Sequence, residues 1–179
     1  MVGVCLLLAT VLPFSELDYR VVADYDFNEL TNTVGNSVEI TDNFSALVPG
    51  FSGSKLYIPA RTNGVLQISS SSNRGRLICS NEYVSADCTM FIRASKMNKT
   101  PQKTKLSIGP YGESPSGSAT NLTVTFEMDW LEPIALSTVA TDGSIIIQPN
   151  DETESNRRIL IDRIIFARKR EHGFYFIIR

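Results

Sequence analysis

The chain has 179 residues, 42% hydrophobic and 20% charged, enough for one domain that buries about two thirds of its unfolded surface. Its formal charge of -2 and pI near 5.5 give no long-range attraction for a phosphate backbone, which excludes nucleic acid as the expected partner. His172 is the only histidine, so a Ser-His-Asp site, a Cys-His site and a histidine zinc site all lack support. There is no glycine-rich phosphate loop, no C-x-x-C and no repeat of fixed period.

The first fourteen residues, MVGVCLLLATVLPF, carry no charge. An apolar run of that length is a signal-peptide core and too short to span a membrane. Residues 1–15 are therefore expected to be an export signal, and the protein is expected to be secreted or displayed at the cell surface. No Lys or Arg precedes the run, and Pro13 with Ser15 makes a poor cleavage site, which keeps open the alternative of a buried first strand. Residues 16–170 are expected to form a single domain, with 171–179 as a tail.

Tyr19 to Phe27 reads as a strand, Asn28 to Asn36 as loop and Ser37 to Thr41 as a short strand. Lys55 to Pro59 and Val65 to Ile68 flank Asn63-Gly64, the strongest two-residue hairpin signal in the chain. Arg76 to Ser80 and Asp87 to Ala94 are predicted to pair as a second hairpin, closed by Asn81 to Ala86. Lys105 to Ile108 is a strand ending at Gly109-Pro110, and Tyr111 to Thr120 is the longest predicted loop. From Asn121 to Asp129, Leu122, Val124, Phe126 and Met128 alternate without a break with polar residues, so one strand with a buried face and a wet face is expected over the whole stretch.

Pro133 breaks that pattern, Ile134 to Val139 resumes it, and Asp142-Gly143 turns into Ser144 to Gln148. Arg157 to Ala167 is apolar on both parities, as in a strand central to a sheet. No amphipathic helix of useful length is found. Some eleven short strands with frequent turn signals define an all-β fold, a two-sheet antiparallel β-sandwich of jelly-roll type.

Glu127, Asp129 and Glu132 in FEMDWLE form an E-x-D-x-x-E pattern that resembles the signature of laminarinase-type glycoside hydrolases. That resemblance implies Glu127 as nucleophile, Asp129 as its support and Glu132 as acid/base. Retention requires two carboxyl groups about 5–5.5 Å apart. Glu132 has the wrong parity and joins the other two only through a bulge near Trp130 or Leu131. The resemblance covers six residues, and the chain has one Trp where such clefts carry several. Chance acids on a solvated face are the competing reading.

Over most of its length the chain resembles galactose-binding-like and other carbohydrate-binding jelly-roll modules of Bacteroidetes-type secreted or surface proteins. The likeness rests on Tyr25-Asp26-Phe27-Asn28-Glu29 after an early strand and on Ile161-Asp162-Arg163-Ile164-Ile165-Phe166 in the last one. It implies a structural calcium, with Asp26, Glu29 and Asp162 as the inheriting positions. The alternative for Asp162 is an ion pair with Arg163 or a neighbouring Lys. Recognition by such modules uses exposed aromatic faces, which makes Tyr83, Tyr111 and Trp130 the ligand-binding candidates, each with a packing role as its alternative.

Cys79 and Cys88 lie near the ends of the predicted second hairpin, either bridged or as two buried thiols. Asn43, Asn98 and Asn121 head N-x-S/T acceptors, relevant to a eukaryotic source. The function expected from all this is a non-catalytic extracellular recognition or adhesion module whose partner is a glycan or a surface protein. A small retaining glycosidase using Glu127 and Glu132, and a structural spacer domain of a surface protein, are the alternatives.

Overall fold

The computed structural model describes residues 12–15, 18–99, 103–110, 119–139, 143–150 and 158–171. Thirteen strands are found among them. The first part of the chain supplies β1 (Tyr19–Tyr25), β2 (Val38–Glu39), α1 (Phe44–Leu47), β3 (Phe51–Ser54), β4 (Leu56–Ile58), β5 (Leu66–Ile68) and β6 (Arg76–Cys79). The rest supplies β7 (Cys88–Lys96), β8 (Lys103–Pro110), β9 (Thr120–Thr125), β10 (Asp129–Trp130), β11 (Ile134–Ala135), β12 (Ile145–Pro149) and β13 (Ile159–Lys169). α1 is one turn long, and no described helix is long and apolar enough to cross a membrane.

The strands form the two-sheet antiparallel β-sandwich expected from the sequence. One sheet has eight strands in the order β10-β7-β13-β5-β4-β2, with β1 also paired to β13 and β11 to β7. The other has five, in the order β3-β6-β12-β8-β9. A single buried cluster drawn from both sheets fills the space between them, including Leu66, Met90, Ile92, Ile161 and Phe166 with Leu77, Leu106, Ile108, Ile145 and Ile147. The first predicted hairpin forms, with Leu56 opposite Ile68 and Tyr57 opposite Gln67. Gly64 takes a φ of 72° in its connection, a backbone state that favours glycine.

Three expectations are corrected. β6 and β7 do not pair: β6 lies between β3 and β12 in the five-stranded sheet, and β7 beside β13 in the eight-stranded one. Residues 80–87 arch from sheet to sheet instead, and Val84 plugs into the core beneath them. Cys79 and Cys88 are accordingly free and buried, one on each sheet. The long alternating strand also divides. Leu122 and Val124 are buried in β9, but Phe126, which alternation would bury, is 44% exposed. There the chain leaves one sheet, and it enters the other at β10, opposite Ala94 and Arg93. Alternation cannot distinguish a strand that continues from one that changes sheets. Lastly, only Ile134 and Ala135 of the segment predicted up to Val139 are strand, and a 3-10 turn follows over Leu136–Thr138.

β13 explains its own two-sided apolarity. Ile161 faces Ala94 and Arg163 faces Arg93, so Asp162 is an extra residue in a β-bulge. The bulge changes the parity of the strand. Ile159, Ile161, Ile164 and Phe166 enter the inner core, while Ile165 and Ala167 join Phe91 on the outer face. Leu12, Phe14, Tyr19 and Trp130 cover that outer patch, with the Phe14 ring 4.3 Å from Phe91 and 5.3 Å from Tyr19. The described end of the predicted export signal therefore packs on the sandwich. Residues 1–11, Cys5 among them, and 172–179 of the predicted tail lie outside the described residues.

Candidate functional site

β1 ends at Tyr25, and the next five residues build one wall of a cleft of about 200 Å3. The turn is local chemistry. The Asp26 carboxylate accepts hydrogen bonds from the Asn28 backbone N–H at 3.2 Å and from Asn28 Nδ2 at 2.6 Å, an Asx-type turn. Phe27 takes a φ of 53°, a left-handed state that costs a bulky residue on the order of 1 kcal/mol. Burial of its ring against Phe51, centroids 6.5 Å apart, offsets that cost. The same twist leaves Asp26, Asn28 and Glu29 exposed.

The opposite wall is Leu47, Val48 and Pro49, where α1 runs out towards β3. Leu47 is 53% exposed there. The cleft thus joins an apolar lip to a rim of carboxylates and one amide. Two side chains, Asn32 buried and Tyr25 half-buried, hold the neighbourhood in place. Asn32 Nδ2 donates to the carbonyls of Asn36, Ile58 and Pro59 at 2.9–3.2 Å while its Oδ1 accepts from the Val34 N–H at 2.9 Å. Tyr25 is held edge-on to Phe51 and Phe166, and its hydroxyl accepts from Asn81 Nδ2 at 3.3 Å. Burial, followed by the neighbouring Cys79, Tyr83 and Glu82, pushes its titration above the ordinary tyrosine range.

Arg163 sits among the carboxylates of this region. It grips Asp24 with two hydrogen bonds, one from Nε to Oδ1 at 2.8 Å, and this bond, with smaller help from Asp26 and Asp162, raises its pKa further. Asp162 is held by Arg93, whose Nη1 lies 2.7 Å from Oδ2. Asp162 therefore pairs with an arginine across the sheet. The described residues contain no group of three or more His, Cys, Asp or Glu side chains arranged to hold a metal. Asp26 and Glu29 stand exposed at the rim of the cleft, and Asp162 is engaged by Arg93. The link between the chain ends is made by the Asp24–Arg163 pair, from β1 to β13.

The acidic motif is dispersed. Glu127 is exposed in the crossing between the sheets, where its carbonyl accepts from Thr125 Oγ1 at 3.3 Å. Asp129 stands on β10 in the other sheet, its carboxylate accepting from the Trp130 N–H at 2.8 Å. Glu132 lines a recess of about 130 Å3 with Asn121, Leu122 and Thr123 of β9. The face that Glu127 and Asp129 were expected to share is lost because no single strand carries both, Glu127 lying between the end of β9 and the start of β10.

Of the aromatic candidates, Tyr83 is half-buried with its ring tilted 6.4 Å from Phe166 at the inner core. Trp130 is half-buried in the outer cluster. The two pack on different clusters and form no common platform, and Tyr111 lies outside the described residues. Sequence reasoning missed Asp24, Arg93 and the lip at Leu47–Pro49. The Asp24–Arg163 pairing depends on register across 139 positions, and no local pattern announces it.

The fold is a two-sheet β-sandwich with an open cleft at one end of its first strand. No protein-family model matches the chain, and no curated protein matches it. Among solved structures it is similar to a family 36 carbohydrate-binding module in complex with calcium and xylotriose, at 13% identity and a TM-score of 0.43, over 81% of this chain and 99% of that one. It is also similar to a family 29 carbohydrate-binding module from Piromyces equi, at 13% identity and a TM-score of 0.44, over 84% and 89%. A third likeness is to the Clostridium thermocellum xylanase 10B, carrying a family 22 module and complexed with xylohexaose, at 13% identity and a TM-score of 0.42; it covers 83% of this chain and 30% of that one. At these values the likenesses place the chain in no family and assign it no ligand.

Proposed function

We propose that this chain is a non-catalytic recognition module, secreted or surface-displayed, that binds carbohydrate in the cleft between Asp24–Leu30 and Leu47–Pro49. The observation that carries the reading is the composition of that cleft. Leu47, Val48 and Pro49 offer an apolar lip for the C–H face of a sugar ring, and Asp26, Asn28 and Glu29 offer carboxylate acceptors and an amide for its hydroxyls. Export is supported by the uncharged apolar run at residues 1–14. Glu127 lies in the crossing between β9 and β10 rather than beside Asp129 on one strand, which favours binding over a retaining glycosidase.

The test is a glycan-array screen of the full chain, with calcium and again with a chelator. Asp26→Asn with Glu29→Gln is expected to weaken the strongest signal about tenfold or more, and Glu127→Gln is expected to leave it unchanged. Silence in both conditions would overturn the proposal in favour of the spacer. Glucan hydrolysis abolished by Glu127→Gln would overturn it in favour of the enzyme. The chelator arm also decides the calcium clamp expected at Asp26, Glu29 and Asp162. A rise in Tm with calcium that Asp162→Asn removes would establish the clamp, and no rise would assign the role to Arg163 alone.

A further inference from the structure

The far end of the same strand pair has a second cleft, and its chemistry is the reverse. Arg20, Asp87, Arg168, Lys169, Arg170 and Glu171 line an open space of about 510 Å3. Four cations there face two carboxylates, with Glu82 also acting on Arg168. The register sets Arg20 directly opposite Arg168 and Tyr19 opposite Lys169. Like charges directly across a sheet are destabilising.

Internal pairing relieves only part of this. Arg168 Nε lies 2.7 Å from an Asp87 carboxylate oxygen without the alignment of a hydrogen bond, and Asp87 is also held by the Ser85 hydroxyl. Arg170 Nε donates to the Tyr19 carbonyl at 3.4 Å. Arg20 and Lys169 have no ion pair or side-chain hydrogen bond among the described residues. A protein of net charge -2 therefore keeps two cations unneutralised beside two more, in one concavity.

We infer that this cleft binds an anionic polysaccharide, one that presents sulfate or carboxylate groups to Arg20, Arg168 and Lys169. The inference rests on the carbohydrate reading above and names the charged class of glycan that a second subsite would take. The lining distinguishes this ligand from other polyanions. None of the six described lining residues is aromatic, so none of them stacks nucleobases. None of these described residues is apolar either, so none of them would enter a bilayer. A guanidinium pair with an ammonium beside it is suited to the discrete anions of a charged sugar chain.

The test measures the affinity of the full chain for heparin, for the best neutral glycan from the array, for a single-stranded oligonucleotide and for phosphatidylserine vesicles, at low and at physiological salt. Heparin is expected to bind in a salt-dependent way, about tenfold more weakly after Arg20→Gln and again after Lys169→Gln. Neutral-glycan binding is expected to be unchanged by both substitutions. Thermal melting separates loss of the site from loss of the fold, because Arg20→Gln is expected to hold or raise Tm. Absence of heparin binding with neutral binding intact would overturn this inference alone. Absence of both would overturn it together with the carbohydrate reading. Heparin binding unaffected by Arg20→Gln and Lys169→Gln, or vesicle or oligonucleotide binding that equals it and depends on those residues, would also overturn it.

Discussion

The two ends of the β1–β13 pair differ in how their charge is disposed. At the Tyr25 end, Asp24 is taken by Arg163 and Asp162 by Arg93, so most of the charge is spent within the protein and Asp26 and Glu29 remain at the rim. At the Tyr19 end, Arg20 and Arg168 are set against each other and Lys169 is left alone. Charge of the first kind fixes the register of two strands remote in sequence. Charge of the second kind opposes the fold locally, and a gain in binding would offset that cost.

The largest change to this contrast comes from removing what both ends lean on. Phe166 is fully buried beneath Tyr25 and Tyr83, and Phe166→Ala should lower stability by about 3–5 kcal/mol in urea unfolding and weaken binding at both clefts. Next comes the Cys79 thiol beside Tyr25, which burial pushes up to about 12. Its ordinary value, near 9, applies once the chain unfolds. The stabilisation is therefore complete below pH 9 and is lost as pH climbs towards 12. Denaturant titrations should show an alkaline loss of stability to which this thiol contributes a slope of up to about 1.4 kcal/mol per pH unit, and which Cys79→Ala therefore reduces.

Arg163→Gln isolates the paired end. It leaves Asp24 without its partner, and because both groups are partly exposed the loss should be about 1 kcal/mol. A double-mutant cycle with Asp24→Asn should recover most of that as coupling. Last is Arg20→Gln at the opposed end, where calorimetry should find a gain of a few tenths of a kcal/mol as the repulsion across from Arg168 is relieved. A loss of stability there would mean that the charges at that end support the fold as those at the other end do.

Strand content and the first hairpin were legible because alternation and Asn63-Gly64 are local signals. The sheet assignments were not. Residues 80–87 look alike as hairpin loop or as inter-sheet arch, since both need turns and polar residues, and the difference lies in which distant strand β6 and β7 each meet. The bulge at Asp162 was equally silent: Ile161-Asp162-Arg163-Ile164 reads as a strand in either parity, and only the Ala94 and Arg93 register shows that one residue is extra. For the candidate site, a resemblance singles out Asp26 and Glu29, but Asp26 and Phe27, expected as the end of a strand, prove to open a turn, and the opposite wall at Leu47–Pro49 is assembled by the tertiary fold. The acidic motif straddles the exit from β9, and alternation could not show where that strand ends.

The separation of the two thiols gives the molecule an internal clock. Cys79 belongs to the five-stranded sheet and Cys88 to the eight-stranded one, 0% and 2% exposed, so a bulky thiol reagent must wait for each sheet to come away from the other. In a Cys5→Ser background, alkylation at equal rates would mean that the sandwich opens as a single cooperative unit. Faster labelling of Cys88 would mean that the eight-stranded sheet loosens first while the other stays closed, a difference in lifetime that no static contact reveals.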